Sequence, residues 1–217
     1  MKVALINASP RGKVSTSALL LKTIKSYTPT GYSENTAKSE ANIDFVEIQA
    51  NKEKLAAEQI QKLKQADTWV FANPLYIDSL PGHLLSVLEQ LQEECRESHR
   101  VHAVINCGFY EAAHNKTALR IYENWCKRCG YKWCGGAGIG GGGAIGFMAS
   151  VPFDKGPLKA IGKALEKIAH SLQMQSEMEN AFATMGFPRF IYILCAHHGW
   201  KKAAKENGLK TKDLYRK

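Results

Sequence analysis

At 217 residues, with 45% hydrophobic and 23% charged side chains, the chain has the composition of one globular domain, which excludes a disordered polymer. No apolar run approaches the roughly 20 residues of a membrane-spanning helix, the amino-terminal apolar stretch is too short for a secretory signal, and six cysteines are too sparse for a disulfide scaffold, so a cytoplasmic protein without a membrane partner is expected. Lys and Arg outnumber Asp and Glu by 29 to 20, a net charge of +9, and from position 201 onward seven Lys or Arg stand against Glu206 and Asp213.

Strand-like and helix-like segments alternate along the chain. Lys2–Asn7 (KVALIN) is a short apolar run that predicts a buried strand. Ser15–Tyr27 carries Leu20, Ile24 and Tyr27 at helical spacing. Positions 28–42 (TPTGYSENTAKSEAN) are polar and read as a mobile loop. Ile43–Ile48 alternates apolar and polar, as a strand does. Lys54–Gln65 has Ala56, Ile60 and Leu63 on one helical face. Thr68–Asn73 (TWVFAN) is β-branched and aromatic, a third strand. Pro81–Glu94 opens on proline and places Leu84, Val87, Leu88 and Leu91 on one helix face. Val101–Asn106 (VHAVIN) predicts a fourth strand, Asn115–Cys129 a helix, Tyr131–Ile139 a Gly-rich fifth strand and Pro157–Leu172 a further helix.

Strand–helix repetition with short links implies parallel pairing and right-handed crossovers. The expected fold is α/β, a doubly wound, five-stranded parallel sheet in the flavodoxin-like order 2-1-3-4-5. Residues 1–177 form this domain, and 178–217 a helical extension that packs on it or on a partner subunit. Within the extension, Met178, Ala181, Phe182 and Met185 predict one more helix, broken at Phe187-Pro188 and followed by an apolar patch at Phe190–Leu194. The basic stretch from Lys201 reads as a solvated terminal helix; no nucleic-acid-binding motif accompanies it.

In open parallel sheets ligands bind beyond the carboxyl ends of the strands, where strand order reverses. That directs attention to the loops after the first, third and fourth strands. The first, Ala8–Ser17 (ASPRGKVSTS), leads into a helix N-terminus, whose open N–H groups favour a phosphate. Hydroxyls at Ser9, Ser15, Thr16 and Ser17 and the charges of Arg11 and Lys13 strengthen that reading. It is not a Walker A loop, because Val14 follows Lys13 and the leading glycine is missing. The second, Asn73–Gly82 (NPLYIDSLPG), brings apolar and aromatic side chains to the same edge, as a flat ring would require. The third, Asn106–Glu111 (NCGFYE), has a glycine that lets backbone N–H groups approach a ligand.

The loops SPRGKVST, NPLYIDSLPG and NCGF, in this order and spacing, resemble the NADPH-dependent FMN reductase family of flavodoxin-like NAD(P)H oxidoreductases. The likeness runs to about residue 145. The glycine-rich 135–143 segment and the tail PRFIYILCAHHGWKKAAKENGL also resemble flavodoxin-family oxidoreductases of anaerobic and spore-forming bacteria. The resemblance implies FMN as cofactor, NADH or NADPH as co-substrate, a small-molecule electron acceptor and a homodimer. Ser9, Arg11, Ser15, Thr16 and Ser17 fall where that family holds the FMN phosphate; Pro74, Leu75, Tyr76 and Ile77 where it flanks the isoalloxazine ring; Cys107, Gly108 and Phe109 where backbone groups meet the pyrimidine edge. Many relatives have an aromatic residue where this chain has Ile77, and a lysine where it has Leu85. No catalytic acid or base is assigned. The alternative reading is a flavodoxin-type electron carrier without NAD(P)H activity, although such carriers are usually acidic.

Other signals carry less. Gly136–Gly141 fits G-x-G-x-x-G, but the residues that follow do not predict a helix, so a mobile loop at the flavin edge is the reading preferred over a dinucleotide fingerprint. Cys126, Cys129 and Cys134 lack the second pair that a zinc or iron–sulfur site needs, and no metal is expected. His114 and the adjacent His197 and His198 have no partner set visible in the sequence.

Overall fold

The computed structural model describes residues 1–28 and 42–215. The polar segment 28–42 therefore lies, apart from its two end residues, outside the described residues. Residues 1–185 form one unit and 186–217 a second.

In the first unit six strands form one parallel sheet: β1 (Lys2–Asn7), β2 (Asp44–Gln49), β3 (Thr68–Pro74), β4 (Arg100–Asn106), β5 (Lys132–Ile139) and β6 (Ala181–Ala183). Their order is 2-1-3-4-5-6. The helices are α1 (Thr16–Ser26), α2 (Ala57–Lys64), α3 (Gly82–Glu94), α4 (Lys116–Cys129), a single turn α5 (Gly142–Ile145) and α6 (Lys159–Met174). Side chains alternate along a strand, and both faces are covered. Ala4, Ile6, Trp69, Phe71, Val101, Ala103 and Ile105 share one cluster with Ile60 and Leu63 of α2, Leu84 and Leu88 of α3, and Leu119, Tyr122 and Trp125 of α4. The alternate residues Val3, Leu5, Val70 and Val104 are equally buried on the opposite face, the side of α1 and α6. Strands buried on both faces read as continuous apolar runs, which explains KVALIN and TWVFAN.

The sixth strand corrects the helix predicted over Met178–Met185. Met178 and Phe182 sit at helical spacing, but the chain there is extended. The cause lies in β5, where Gly135 and Gly138 present bare backbone. A Cβ on Gly135 would come within 2.1 Å of the Met178 carbonyl oxygen, and one on Gly138 within 2.8 Å of the Phe182 ring. Ala137, Gly138 and Ile139 pair with Ala181, Phe182 and Ala183, and Asn180 Oδ1 accepts from Gly136 N at 2.9 Å. Ladder pairing with an exposed edge overrides a weak periodic signal.

The glycine-rich segment is likewise not the mobile loop expected at the flavin edge. Residues 135–139 are buried within β5, and Gly140 N donates to Ala183 O. A one-turn helix, α5, does follow it. The register of β4 against β5 shifts between Val101 and Ala103. There Gly135 has φ +92°, a backbone conformation L side chains rarely adopt. The bulge is closed by His102, whose Nδ1 donates to the Gly135 carbonyl at 3.0 Å.

Among its described residues the second unit contains one helix, α7 (Arg189–Glu206), which begins after Pro188, and a 3-10 turn at Thr211–Tyr215. The apolar Phe190–Leu194 and the basic Lys201–Lys205 thus belong to one helix. No helix among the described residues is long and apolar enough to cross a membrane.

Burial holds His102 down to about 4, opposed by its bond to Gly135 and reinforced by Arg100. Its pKa in the unfolded chain is about 6.5. The unfolded state therefore binds the extra proton first, so the contribution of neutral His102 is complete above about pH 6.5 and is lost as pH falls toward 4. Between pH 7 and pH 5 urea denaturation is expected to show a loss on the order of 2 kcal/mol from this group. His102→Asn retains a donor near the Nδ1 position and should remove most of that slope; an unchanged slope would refute the assignment.

Candidate functional site

β1 and β4 end in asparagine and β3 carries one at its last position but one, and these residues organise the carboxyl edge of the sheet. At the end of β1, Asn7 Nδ2 donates to the Gly12 carbonyl at 2.9 Å and to Gln49 Oε1 at 3.1 Å, while its Oδ1 accepts from Ser9 N. Near the end of β3, Asn73 Oδ1 accepts from the Tyr122 hydroxyl at 2.9 Å. At the end of β4, Asn106 Nδ2 donates to Ser17 Oγ at 3.0 Å and to Asn73 O at 3.2 Å. All three side chains are buried, and a buried amide without partners costs about 1–3 kcal/mol. The first loop is thereby tied to β1 and β4, and it is further tied to α3, where His83 Nε2 donates to the Ala8 carbonyl at 3.2 Å.

Within that loop Gly12 has φ +59°, and a 3-10 turn at Gly12–Val14 delivers the chain to α1. Ser15 caps α1: its Oγ accepts from Ala18 N at 3.1 Å and donates to the Gly12 carbonyl at 2.6 Å. Thr16 Oγ1 donates to the Gly142 carbonyl at 3.0 Å. Ser9 Oγ accepts weakly from Arg11 N at 3.4 Å. The structure thus brings Ser9, Arg11, Ser15, Thr16 and Ser17 into one turn, with Ser9, Ser15 and Ser17 buried and Arg11 and Lys13 exposed. The hydroxyls are engaged inside the chain, so the groups left facing outward are the first N–H groups of α1 and the two cations. A cleft of about 980 Å³ borders this turn, bounded among the described residues by Arg11, Lys13, Thr16, Gly143 and Phe147, and extends toward Glu47 and Gln49 of β2. It lies on the β2 side of the loop, away from the aromatic residues of the other two loops.

In the second loop Pro74 ends β3, Leu75 is buried, and Tyr76 and Ile77 are exposed, Ile77 completely (101%). Tyr76 and Ser79 exchange two backbone hydrogen bonds of 3.0 Å. Between them Ile77 and Asp78 both have positive φ, +50° and +54°, as in the type I′ turns that favour Asn and Gly. An isoleucine there is strained, at about 1–3 kcal/mol.

In the third loop the Cys107 thiol is buried against the Phe109 and Glu111 carbonyls at 3.6 Å and accepts from Asn115 Nδ2 at 3.5 Å. Burial pushes it up, and the Asp78 carboxylate adds to this, so it is a packed thiol and not a nucleophile. A Cβ on Gly108 would meet no atom within 4 Å. Phe109 is 56% exposed and lies on the His114 ring, with centroids 4.4 Å apart. His114 Nδ1 is 3.5 Å from Asp78 Oδ1, so this histidine has the partners that the sequence did not disclose. Burial likewise raises the thiols of Cys126, Cys129 and Cys134. Among the described residues no group of three or more His, Cys, Asp or Glu side chains is placed to hold a metal ion.

Missed in the sequence were Asn7, Asn73, Asn106 and His83. The signal for the asparagines was available: KVALIN, TWVFAN and VHAVIN end alike. His83 offered none, since its role depends on where α3 begins relative to the first loop.

Residues 1–94 match a protein family described as a flavodoxin-like fold. Several solved structures are similar. One, an NADH:FMN oxidoreductase in its apo form, is 16% identical with a TM-score of 0.59, covering 82% of this chain and 91% of its own. An azoreductase from Bacillus anthracis str. Sterne is 16% identical with a TM-score of 0.50, covering 79% and 99%. A flavone reductase is 10% identical with a TM-score of 0.51, covering 82% and 66%. No curated protein sequence matches significantly. The six-stranded order and these likenesses together establish a flavodoxin-like fold for this chain.

Two substitutions test the local geometry. Ile77→Asn is expected to raise stability by roughly 1 kcal/mol by relieving the turn, seen as a higher urea midpoint at unchanged slope. Tyr122→Phe leaves Asn73 Oδ1 without its hydroxyl donor and is expected to cost about 1–2 kcal/mol in the same assay.

Proposed function

We propose that this chain is an FMN-dependent NAD(P)H oxidoreductase that delivers electrons to a small acceptor. One observation carries the reading: a helix N-terminus bordered by two exposed cations stands at the same sheet edge as two loops carrying the exposed aromatic residues Tyr76 and Phe109. Two similar structures, an NADH:FMN oxidoreductase and an azoreductase, accord with it.

The residues present suit FMN. Thr16 and Ser17 open α1 with N–H groups directed out of the helix, where the helix dipole favours a phosphate dianion. Arg11 and Lys13 supply charge beside them. Tyr76 and Phe109 offer flat apolar surface to a ring system. No atom lies within 4 Å of where a Cβ on Gly108 would stand, which leaves room for a ligand beside this turn. Bound there, FMN would supply the two-electron chemistry that links a reduced nicotinamide to the acceptor. The chain's share is to anchor the phosphate, place the ring against the loops after β3 and β4, and stabilise negative charge at its edge with backbone N–H groups near Gly108. The net charge of +9 also favours approach of an anionic nicotinamide nucleotide.

Anaerobic mixing of FMN-loaded protein with excess NADH or NADPH is expected to bleach the visible flavin band. A protein that binds FMN but is reduced by neither donor would instead be an electron carrier. Arg11→Ala should weaken FMN binding about tenfold to a hundredfold by titration calorimetry, with the fold unchanged by circular dichroism.

A further inference from the structure

We infer that α7 is a peripheral docking helix for an anionic lipid surface: its apolar first half enters the acyl boundary and its lysine-bearing second half lies on the headgroups. This role belongs to the second unit alone and is independent of the flavin reading.

Two observations converge. The first is a long helix with little packing. Of its 18 residues only Ala204 is buried, whereas most helices in folded proteins draw their stability from a packed apolar face. Residues 190–196 (FIYILCA) are nonetheless apolar without interruption. Phe190 and Leu194 are each 64% exposed, and Trp200 is 68% exposed. Apolar side chains exposed together mark an interaction surface. The second observation is where the charge lies. Lys201, Lys202 and Lys205 follow on the same helix, all exposed, and Lys210 and Lys212 stand just beyond it. The first acidic side chain of α7 is Glu206, which faces Lys202 at 3.8 Å. Phe190, Leu194, His197, Lys201 and Lys205 recur every three or four residues and share one exposed face. Apolar and basic residues are thus separated along the helix axis.

That separation selects the partner. Two copies of α7 side by side do not suit it. Antiparallel pairing sets Phe190 and Leu194 against Lys201 and Lys205, and parallel pairing sets lysine against lysine. A nucleic acid would neutralise the lysines and leave the apolar half in water. A bilayer with anionic headgroups offers both environments within one helix length, hydrocarbon below and negative charge at its surface. Residues 190–196 extend about 10 Å at roughly 1.5 Å per residue. That matches the depth of roughly 5–10 Å to which an interfacial helix enters. Trp200 stands where the two halves meet, and a tryptophan ring is favoured at the level of the headgroups.

The test mixes the full chain with vesicles, either of equimolar phosphatidylglycerol and phosphatidylcholine or of phosphatidylcholine alone. Cosedimentation with the anionic vesicles is expected, with binding to the neutral ones at least about tenfold weaker. Lys201→Gln combined with Lys205→Gln should weaken binding to the anionic vesicles about thirtyfold and flatten its salt dependence. Phe190→Gln combined with Leu194→Gln should weaken it about tenfold to a hundredfold at low and high salt alike. A second readout uses the unaltered chain, so it stands even where a double variant loses helix. Lipid brominated on its acyl chains should quench part of the tryptophan emission, and Trp200→Phe should abolish that quenching, because Trp69 and Trp125 are buried and Trp133 is half-buried. Equal binding to both kinds of vesicle, binding to neither, or no quenching by brominated chains would overturn the proposal. Retention on DNA in place of vesicle binding would make α7 a nucleic-acid contact, and a doubling of mass in place of it, abolished by the Phe190 and Leu194 changes, a self-association surface.

Discussion

Hydrogen bonding by three buried amides holds the carboxyl edge of this sheet in one shape. A parallel sheet ends in a row of chain exits, each of which could leave in several directions. Here Asn7, Asn73 and Asn106 stand at three adjacent exits and bond outward to the loops and sideways to one another, through Gly12, Ser9, Tyr122, Ser17 and the Asn73 carbonyl. Each bond is worth only about 1 kcal/mol net, but an unmade one at such depth costs more, so the arrangement is close to all-or-none. The turn before α1, the aromatic turn after β3 and the glycine turn after β4 take their positions from it.

Much of the architecture was legible because its signals are local. Strands buried on both faces leave uninterrupted apolar runs, and α1, α3 and α4 leave clean helical periodicity, so these elements were expected within one or two residues of where they lie. The sixth strand was not legible. Its residues Ala181–Ala183 are few, and what makes them extended is a neighbour more than forty positions earlier that lacks side chains. The second unit's helix was divided in two by composition alone: its first half is apolar and its second basic, yet the backbone runs through both.

The site was legible as a set of loops and not as a set of contacts. Proximity to the sheet edge follows from topology, so the placement of Arg11, Tyr76 and Phe109 on loops that leave the same edge could be anticipated. What each side chain does there depends on angles no spacing encodes. The hydroxyls of Ser15, Thr16 and Ser17 turn inward to bond the chain itself, which leaves backbone N–H groups as the outward-facing feature. His114 acquires partners only because the turn at Ile77 and Asp78 adopts an uncommon backbone conformation.

The bare backbone of β5 has a consequence for the history of the chain. Where the Met178 carbonyl and the Phe182 ring press against Gly135 and Gly138, even a single added methyl is excluded. Neutral drift at those positions is closed unless the last strand leaves the sheet. Gly143 and Gly146, with open space around them, carry no such restriction. Variation among descendants of this sequence should therefore accumulate in the turn beside the cleft and spare the seam that fastens the outermost strand.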